Sequence, residues 1–280
     1  MDQVKYGITQ WALPGEGIYA IKHIAELGFD GMQIETGGYD KGYYMSQKRI
    51  RDDYMEDAEK YGITFPSIVL NDLMTHGFVA PKDSDDYKIA QETMERGIEI
   101  AEYMHIDDIM VPQFWGNEIK DDRTFEQTVE ELKKFCAKAA SKGMNVESET
   151  TLTAEREIEL FKQVGAKNLT AFYDSHNYYY FYDIDQVATL EKLYPYMGSQ
   201  LHVKDCKGHD FDGGILAGAM MGEGDCNFMG TMNFLRDKGY KGWLIMENNY
   251  WEKTIRCRNE DQFVMVGEDL NKLKKIVSEW

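Results

Sequence analysis

The sequence predicts an α/β fold, a (β/α)8 TIM barrel that forms a single domain over residues 1–280. Its length suits one large barrel. Eight short apolar segments alternate with helical patterns, at about 35 residues per strand–helix unit, which is normal for this fold. No linker, low-complexity tract or change in composition marks a second domain.

The eight strand candidates are short runs rich in apolar and β-branched residues, bounded by glycine and polar residues. In chain order they cover residues 4–12, 29–36, 63–71, 108–115, 143–150, 169–176, 199–205 and 242–248. A doubly wound open sheet is the structural alternative. It would need a phosphate-binding glycine fingerprint after the first strand, and the segments PGEGI and GGILAG lack that spacing.

Amphipathic patterns predict helices between these strands. The clearest covers residues 123–143 and places one apolar face along Phe125, Val129, Leu132, Cys136 and Ala139. Thr124 and Gln127 have the spacing of a capping box, and Gly143 is placed as a C-cap. An earlier helix has the apolar positions Ile18, Ile21, Ala25 and Gly28, and residues 268–280 form a last helix after the eighth strand.

Composition narrows the class of partner. The net charge of −18 argues against nucleic acid, because binding to a phosphate backbone needs a basic face. No apolar run reaches the length of a membrane span, and the N-terminus lacks the features of a signal peptide. Four cysteines show no CxxC pairing, and Cys136 is expected in the core. These features predict a reduced, cytoplasmic setting with no membrane partner.

Four consecutive strand candidates end in residues that can bind a metal ion. These residues are Glu149, Asp174, His202 and Glu247. The C-terminal ends of barrel strands meet on one face, so three carboxylates and an imidazole are expected to share one cavity. Two carboxylates 4 Å apart repel by about 4 kcal/mol at an effective dielectric constant near 20. Such a cluster takes up protons or holds a cation, and we interpret it as a divalent-metal site.

Short motifs surround these four residues. Glu149 lies six positions after a glycine, Asp174 lies in YDSHN, and His202 lies in HVKD. The loop GEGDCNF and the final strand, with Trp243 and Glu247, complete the set. Over nearly the whole chain, these motifs resemble those of the xylose-isomerase-like barrels, specifically the sugar isomerase and epimerase group. Glu147 shares an inward face with Glu149 and is the alternative ligand, although the family spacing favours Glu149.

The resemblance implies one divalent metal ion held by Glu149, Asp174, His202 and Glu247. Mn²⁺ is favoured, and Mg²⁺, Co²⁺ or Zn²⁺ would also suit the ligands. It further implies that Glu149 and Glu247 are catalytic acid/base groups on opposite faces of a sugar or keto-sugar, with or without a phosphate group. Proton removal beside the carbonyl would give an enediolate, from which epimerisation or aldose–ketose isomerisation follows.

Five further residues are candidates for substrate binding, and each also has a structural interpretation. Lys204 would hold a substrate oxygen or pair with Glu149 or Asp174. His176 and His209 would contact the substrate. His209 lies on a loop, where a solvated side chain is equally expected. Trp11 and Trp115 would wall the pocket or simply pack at the barrel mouth. The aromatic run 177–183 and the resemblance to this family suggest a homo-oligomer, a dimer or tetramer.

Three alternative functions remain open at this point. A dehydratase of a keto-inositol or keto-sugar would share the metal and the first proton transfer. A non-catalytic sugar-binding barrel would lack metal dependence. An endonuclease of the AP-endonuclease type would need three zinc ions and histidines on further strands, but the third and fourth strands end in LND and PQFW.

Overall fold

The computed structural model describes residues 3–13, 17–209, 218–250, 255, 258 and 260–280. Its strands are β1 Lys5–Thr9, β2 Gly31–Glu35, β3 Ile68–Val69, β4 Asp108–Pro112, β5 Asn145–Glu149, β6 Leu169–Asp174, β7 Met197–Val203, β8 Asp205–Cys206, β9 Gly218–Ala219 and β10 Trp243–Met246. Its helices are α1 Ile18–Leu27, α2 Lys48–Tyr61, α3 Asp85–Met104, α4 Asp122–Ala140, α5 Ala154–Val164, α6 Asn177–Tyr182, α7 Gln186–Leu193, α8 Phe228–Asp237 and α9 Gln262–Val277.

Eight of the strands form a closed barrel in the order β1, β10, β7, β6, β5, β4, β3, β2. β4 pairs in parallel with β5, from Asp108↔Asn145 to Pro112↔Glu149. β10 pairs in parallel with β7, from Trp243↔Gln200 to Met246↔Val203. The predicted barrel is therefore confirmed, and the open doubly wound sheet is excluded because the sheet closes on itself.

Several predicted strands differ from the observed ones. The first, 4–12, ends at Thr9, where the 3₁₀ helix Gln10–Ala12 begins, and the fourth, 108–115, ends at Pro112. The segment 63–71 contributes only Ile68 and Val69 to the ladder, with a single bridge from Thr64 to Gly31. Pro66 lies between them and has no N–H to donate, so a continuous strand cannot form there. The seventh strand ends at Val203, and β8 pairs instead with β9 in a separate antiparallel hairpin.

The N-terminal cap of α4 also differs from the prediction. Asp121 is the N-cap, and Thr124 is the third helical residue of its capping box rather than the cap itself. Thr124 Oγ1 accepts from the Asp121 backbone N–H at 3.0 Å, while Asp121 accepts from the Thr124 N–H at 2.8 Å. The helix ends at Ala140 with Ser141 as C-cap, and Gly143, at φ 78°, follows in the next turn.

The backbone contacts divide the chain into two compact units. One comprises residues 1–32, 59–64 and 173–280, and the other comprises 33–58 and 65–172. Each has buried apolar side chains, among them Ile21 and Leu244 in the first and Leu132 in the second. That the chain forms one domain stays a prediction.

Other predictions concern individual residues and the chain's environment. Cys136 is fully buried in the second unit, as expected, whereas Cys257, another of the four cysteines, lies outside the described residues. No helix in the described part of the chain combines the length and apolarity needed to cross a bilayer. The homo-oligomeric state and the cytoplasmic location stay predictions.

Candidate metal centre

Four ligand-bearing residues come together at the C-terminal ends of barrel strands. Glu149 is the last residue of β5, Asp174 is the last of β6, His202 is next to last in β7, and Glu247 directly follows β10. One ligand atom from each residue lies within 4.8 Å of all the others. Glu149, Asp174 and His202 are at most 4% exposed, so water contributes little to their solvation.

A positive charge from the chain itself lies among these carboxylates. Lys204 Nζ is 2.6 Å from Glu247 Oε2 and 3.1 Å from Asp174 Oδ2. His202 Nδ1 is 3.1 Å from the same oxygen of Glu247 and 3.6 Å from Asp174 Oδ2. Lysine thus pairs with Asp174, as one sequence interpretation expected, and with Glu247 in addition.

The two carboxyl groups are held in their ionised form. Burial alone would raise the pKa of Asp174, but the charge of Lys204 and the hydrogen bond to His202 outweigh it and lower that pKa. Burial likewise opposes ionisation of Glu247, and the charges of His202 and Lys204 bring its pKa well below the usual range. Both groups therefore carry negative charge at neutral pH.

Backbone groups fix which oxygen of Asp174 faces the other ligands. Its Oδ1 accepts from the backbone N–H groups of His176 at 2.7 Å and Asn177 at 2.9 Å, at the start of α6. Its Oδ2 is the oxygen that lies near Lys204 and His202. Anions are stabilised at a helix N-terminus, so this arrangement orients the carboxylate and favours its charge.

Trp11 has a more direct role than the sequence predicted. Its indole Nε1 donates to Glu247 Oε1 at 2.9 Å, and its ring meets the His202 ring edge-on at 6.4 Å between centroids. Both oxygens of Glu247 consequently have partners, Oε1 on Trp11 and Oε2 on Lys204 and His202. Trp11 therefore orients this carboxylate, whatever further contact it makes with a substrate.

Ser175 is a site residue that sequence reasoning missed. Its Oγ donates to the Lys204 carbonyl at 2.8 Å and accepts from the Lys204 N–H at 2.9 Å. Its own N–H donates to the His202 carbonyl at 3.2 Å. These bonds join the end of β6 to the segment that carries His202 and Lys204. The only signal in the sequence was its place inside YDSHN, directly after Asp174.

The two candidate histidines of the substrate site have protein partners. His176 Nδ1 lies 2.9 Å from Asn177 Oδ1, and its ring stacks on Tyr180 at 4.6 Å. Burial opposes protonation of His176, but its hydrogen bond with Cys206 prevails and raises its pKa. His209 Nδ1 lies 3.0 Å from the carbonyl oxygen of Tyr179. Their contact with a substrate stays a prediction.

The remaining candidates are Trp115 and the alternative ligand Glu147. Trp115 is 61% exposed, follows β4 and has a positive φ of 45°, which is uncommon for a bulky residue. Glu147 is 1% exposed and pairs in register with Met110. The group of four ligands includes Glu149 rather than Glu147 among the described residues.

The donor set fits a divalent cation. Three carboxylates and one imidazole combine hard oxygen ligands with a nitrogen, a set suited to Mn²⁺, Mg²⁺, Co²⁺ or Zn²⁺. When His202 is neutral, as an imidazole must be to bind a metal ion, Lys204 supplies the one positive charge beside the three carboxylates. A doubly charged ion would balance the remaining charge, so the residues present are consistent with a metal site.

Comparison with known proteins identifies the family. A family model described as xylose isomerase-like TIM barrel matches residues 21–270. The chain belongs to this family. Membership agrees with the resemblance found in the motifs and with the closed barrel.

The individual proteins that match the chain share little sequence identity with it. The chain is 25% identical over 201 residues to the 2-epi-5-epi-valiolone 7-phosphate 2-epimerase of Actinoplanes sp., a match that covers 72% of both chains. The D-psicose 3-epimerase of Clostridium cellulolyticum H10, solved with D-tagatose, superposes with a TM-score of 0.74 at 18% identity and covers 98% of this chain and 99% of that one. A zinc-bound IolI protein superposes with a TM-score of 0.76 at 14% identity and covers 99% of each chain.

Proposed function

We propose that the chain is a divalent-metal-dependent isomerase or epimerase that acts on a sugar or keto-sugar. The observation that carries this proposal is the cluster of Glu149, Asp174, His202 and Glu247, whose ligand atoms lie within 4.8 Å of one another. The epimerase activities named for the Actinoplanes and Clostridium proteins support it. Since the Actinoplanes enzyme is named for a phosphorylated substrate, sugar phosphates fall within the proposal.

Mn²⁺ is the ion we favour, and when bound it would polarise a substrate carbonyl as a Lewis acid. Glu149 and Glu247 act as the proton-transfer pair. One accepts the proton from the carbon beside the carbonyl, and the other supplies a proton to the product. Return to the opposite face of the same carbon inverts its configuration, whereas return at the neighbouring carbon exchanges an aldose and a ketose.

The chain prepares Glu247 for this role. Its low pKa keeps it ionised at neutral pH, and the charges of His202 and Lys204 that lower the pKa also make the carboxylate a weaker base. Trp11 fixes one of its oxygens, while Lys204 contacts the other. The ammonium of Lys204 is placed to stabilise negative charge that develops on a substrate oxygen during proton removal. Trp115, exposed after β4, offers an aromatic surface for the apolar face of a sugar.

Hydrogen exchange at carbon tests the shared first step without knowledge of the product. The protein, stripped with chelator and reloaded with Mn²⁺, Co²⁺, Zn²⁺ or Mg²⁺, is incubated in D₂O with a panel of ketoses and ketose phosphates that includes D-tagatose. NMR then reports deuterium beside the carbonyl and identifies any new sugar. We expect metal-dependent exchange with an epimeric or isomeric product. Exchange with loss of water would instead identify a dehydratase, and metal-independent sugar binding without exchange would identify a non-catalytic barrel.

Glutamine substitutions assign the proton-transfer groups. Glu149→Gln and Glu247→Gln should each lower exchange by about 10²–10⁴-fold, the usual contribution of a general acid or base. Glu147→Gln, on the same strand as Glu149, tests the alternative ligand, and Glu130→Gln on the surface controls for the substitution itself. Near-full activity of either Glu149→Gln or Glu247→Gln, in folded protein, would refute the assignment.

A further inference from the structure

A buried polar network lies directly behind Glu247. Asn248, 2% exposed, follows Glu247 in the chain. Its side-chain Oδ1 accepts from the Asp205 backbone N–H at 3.0 Å, and its Nδ2 donates to Asp269 Oδ2 at 2.8 Å. One amide group thus joins the segment after β7 to α9.

The Asn248 amide extends the ladder between β7 and β10. That ladder runs to Met246↔Val203, and the Glu247 N–H then donates to the Val203 carbonyl at 3.1 Å. The next donor of a parallel ladder on this side is the Asp205 N–H, which donates to the Asn248 side chain. Glu247 is therefore held by a backbone bond at its own N–H and by a side-chain bond at the residue after it.

Asp269 determines which way the amide of Asn248 points. It is fully buried on α9, and it also accepts from the Met221 N–H at 3.0 Å and from Tyr250 Oη at 2.9 Å. An ionised carboxylate only accepts hydrogen bonds, so the Asn248 nitrogen must face Asp269 and its oxygen must face Asp205. Burial raises the pKa of Asp269 to about 6, which leaves it mostly ionised at neutral pH.

Asp205 links the same network to the loop at 222–224. Its Oδ2 accepts from the N–H groups of Gly222 and Gly224, each at 2.9 Å. Its backbone N–H is the group that donates to Asn248. The segment after His202 and the residue after Glu247 are consequently fixed against each other by buried hydrogen bonds.

We propose that Asn248 is a positioning residue that sets Glu247 against His202 and Lys204, and that Asp269 holds Asn248 in the orientation this requires. The inference rests on the proposed function, because it concerns the accuracy of that metal site. Residues behind metal ligands affect binding without touching the ion, and their substitution commonly costs 10–100-fold in affinity or activity. Ligand geometry must hold within about 0.5 Å for full function, and this network supplies such a constraint.

Asn248→Ala tests the positioning role, with Asn168→Ala as the matched control. Asn168 Nδ2 donates to two backbone carbonyls, of Cys136 at 3.0 Å and Met144 at 2.9 Å, at the start of β6. Mn²⁺ binding to the metal-free proteins is measured by calorimetry, and kcat and KM are measured on the substrate that the exchange assay identifies. We expect Asn248→Ala to weaken Mn²⁺ binding and lower kcat by 10–100-fold with KM within threefold, while Asn168→Ala changes neither by more than threefold.

A charge-exchange cycle keeps the test informative if Asn248→Ala does not fold. Asn248→Asp alone places two carboxylates face to face, and Asp269→Asn alone lets the Asn248 amide turn over. In the double variant N248D/D269N, the carboxylate at position 248 still accepts from the Asp205 N–H, and the amide at position 269 donates to it. We expect the double variant to bind Mn²⁺ at least threefold more tightly than Asn248→Asp.

The outcomes separate this inference from the proposed function. Wild-type Mn²⁺ affinity and kcat in folded Asn248→Ala would overturn the positioning role while the proposed function stands. Equal losses in Asn168→Ala and Asn248→Ala would overturn it as well, because the effect would then be one of general stability. A double variant no better than Asn248→Asp would refute the part assigned to Asp269. Wild-type protein that binds no divalent cation would overturn both.

Discussion

At the scale of single residues, the charge of Lys204 should have opposite effects on the stability of the metal-free protein and on the binding of a metal ion. Its ammonium contacts carboxylate oxygens of Asp174 and Glu247, two proposed ligands. In metal-free protein, this contact offsets the repulsion among the buried acids. A divalent ion on the same oxygens would meet a like charge, so Lys204 stabilises the empty site and opposes binding of the ion.

Lys204→Met should therefore have opposite effects on folding and on metal binding. Without metal, we expect the free energy of unfolding to fall by about 3 kcal/mol, because removal of one partner leaves buried charges uncompensated. Mn²⁺ affinity should rise about tenfold or more, equivalent to about 1.4 kcal/mol per factor of ten. Urea unfolding in chelator and calorimetric titration with Mn²⁺ measure the two effects. Lys22→Met, at an exposed pair with Glu26, is the control.

If Lys204→Met bound Mn²⁺ more weakly than wild type, the lysine would be supporting the ion rather than competing with it. Its role would then be to hold Asp174 and Glu247 in place for the metal. Unchanged stability in chelator would show that the acids of the empty site do not depend on this cation.

Asp269 makes a contribution to the free energy of unfolding that changes with pH. Burial raises its pKa to about 6 from an ordinary 3.8, so the folded protein binds a proton more readily than the unfolded chain. This group therefore stabilises the fold most fully below pH 4, and its contribution is lost as the pH rises through about 6. The change amounts to about 3 kcal/mol across that window.

Asp269→Asn should remove this pH dependence. The substitution can shift the free energy of unfolding by a constant amount at every pH. Beyond that constant shift, the variant should gain about 2 kcal/mol relative to wild type between pH 4 and pH 7. Denaturant unfolding in chelator across this range measures the difference. Asp237→Asn, at an exposed position, should run parallel to wild type. Parallel profiles for Asp269→Asn would mean that Asp269 titrates at an ordinary pKa.

The sequence carried different amounts of information about different site residues. Glu149, Asp174, His202 and Glu247 could be recognised because each follows a recurring apolar strand pattern, and strand ends converge in a barrel. The bond from Trp11 to Glu247 joins residues 236 positions apart. No local pattern specifies such a contact, and the same holds for Asp269 beside Asn248.

At the scale of elements, the loop 220–226 is fixed by its glycines and by Asp205. A Cβ atom at Gly224 would overlap the Asp205 carboxylate and the Cys206 carbonyl group. Lys272 Nζ holds the same loop from α9 through the Met221 carbonyl oxygen at 2.7 Å. The glycine is thus required by close approach of the backbone, since its φ lies outside the left-handed region.

Gly224→Ala should cost more stability than an alanine at a glycine that has a positive φ but open space around it. Gly42 has φ 67° and no neighbouring atom that an added Cβ would meet within 4 Å. Gly42→Ala should cost about 1 kcal/mol, the usual penalty for a left-handed residue with a Cβ. We expect Gly224→Ala to exceed this cost and also to weaken Mn²⁺ binding, as measured by thermal unfolding and calorimetry. Equal costs and unchanged affinity would show that the loop adapts freely.

Element boundaries were less predictable than element types. Periodicity predicts α4 correctly, but the spacing that suggests Thr124 as the cap overlooks Asp121, which precedes it in the same capping box. Apolar character alone predicts a third strand that is too long, because it ignores Pro66. It also carries the seventh strand past Val203, where β8 pairs with β9 outside the barrel. Such choices depend on hydrogen-bond partners elsewhere in the chain.

At the scale of the whole molecule, the fold concentrates negative charge in an already acidic protein. The net charge is −18, and the barrel gathers three of the carboxylates at one end with little water. Barrel closure fixes where the strand ends lie, so the cluster forms with the fold and is absent from the unfolded chain. A cation that binds only the cluster must therefore stabilise the folded state.

Divalent ions should raise the thermal midpoint of the protein in a concentration-dependent way. At a free Mn²⁺ concentration 100 times the dissociation constant, the gain is about 2.7 kcal/mol for one site. Thermal unfolding after chelator treatment, with Mn²⁺, Co²⁺, Zn²⁺ or Mg²⁺ added back, measures the shift and ranks the ions. Glu247→Gln should lose most of the shift, whereas Glu130→Gln should keep it. Equal shifts in both variants would place the ion on the acidic surface, since screening of −18 charges does not depend on one buried carboxylate.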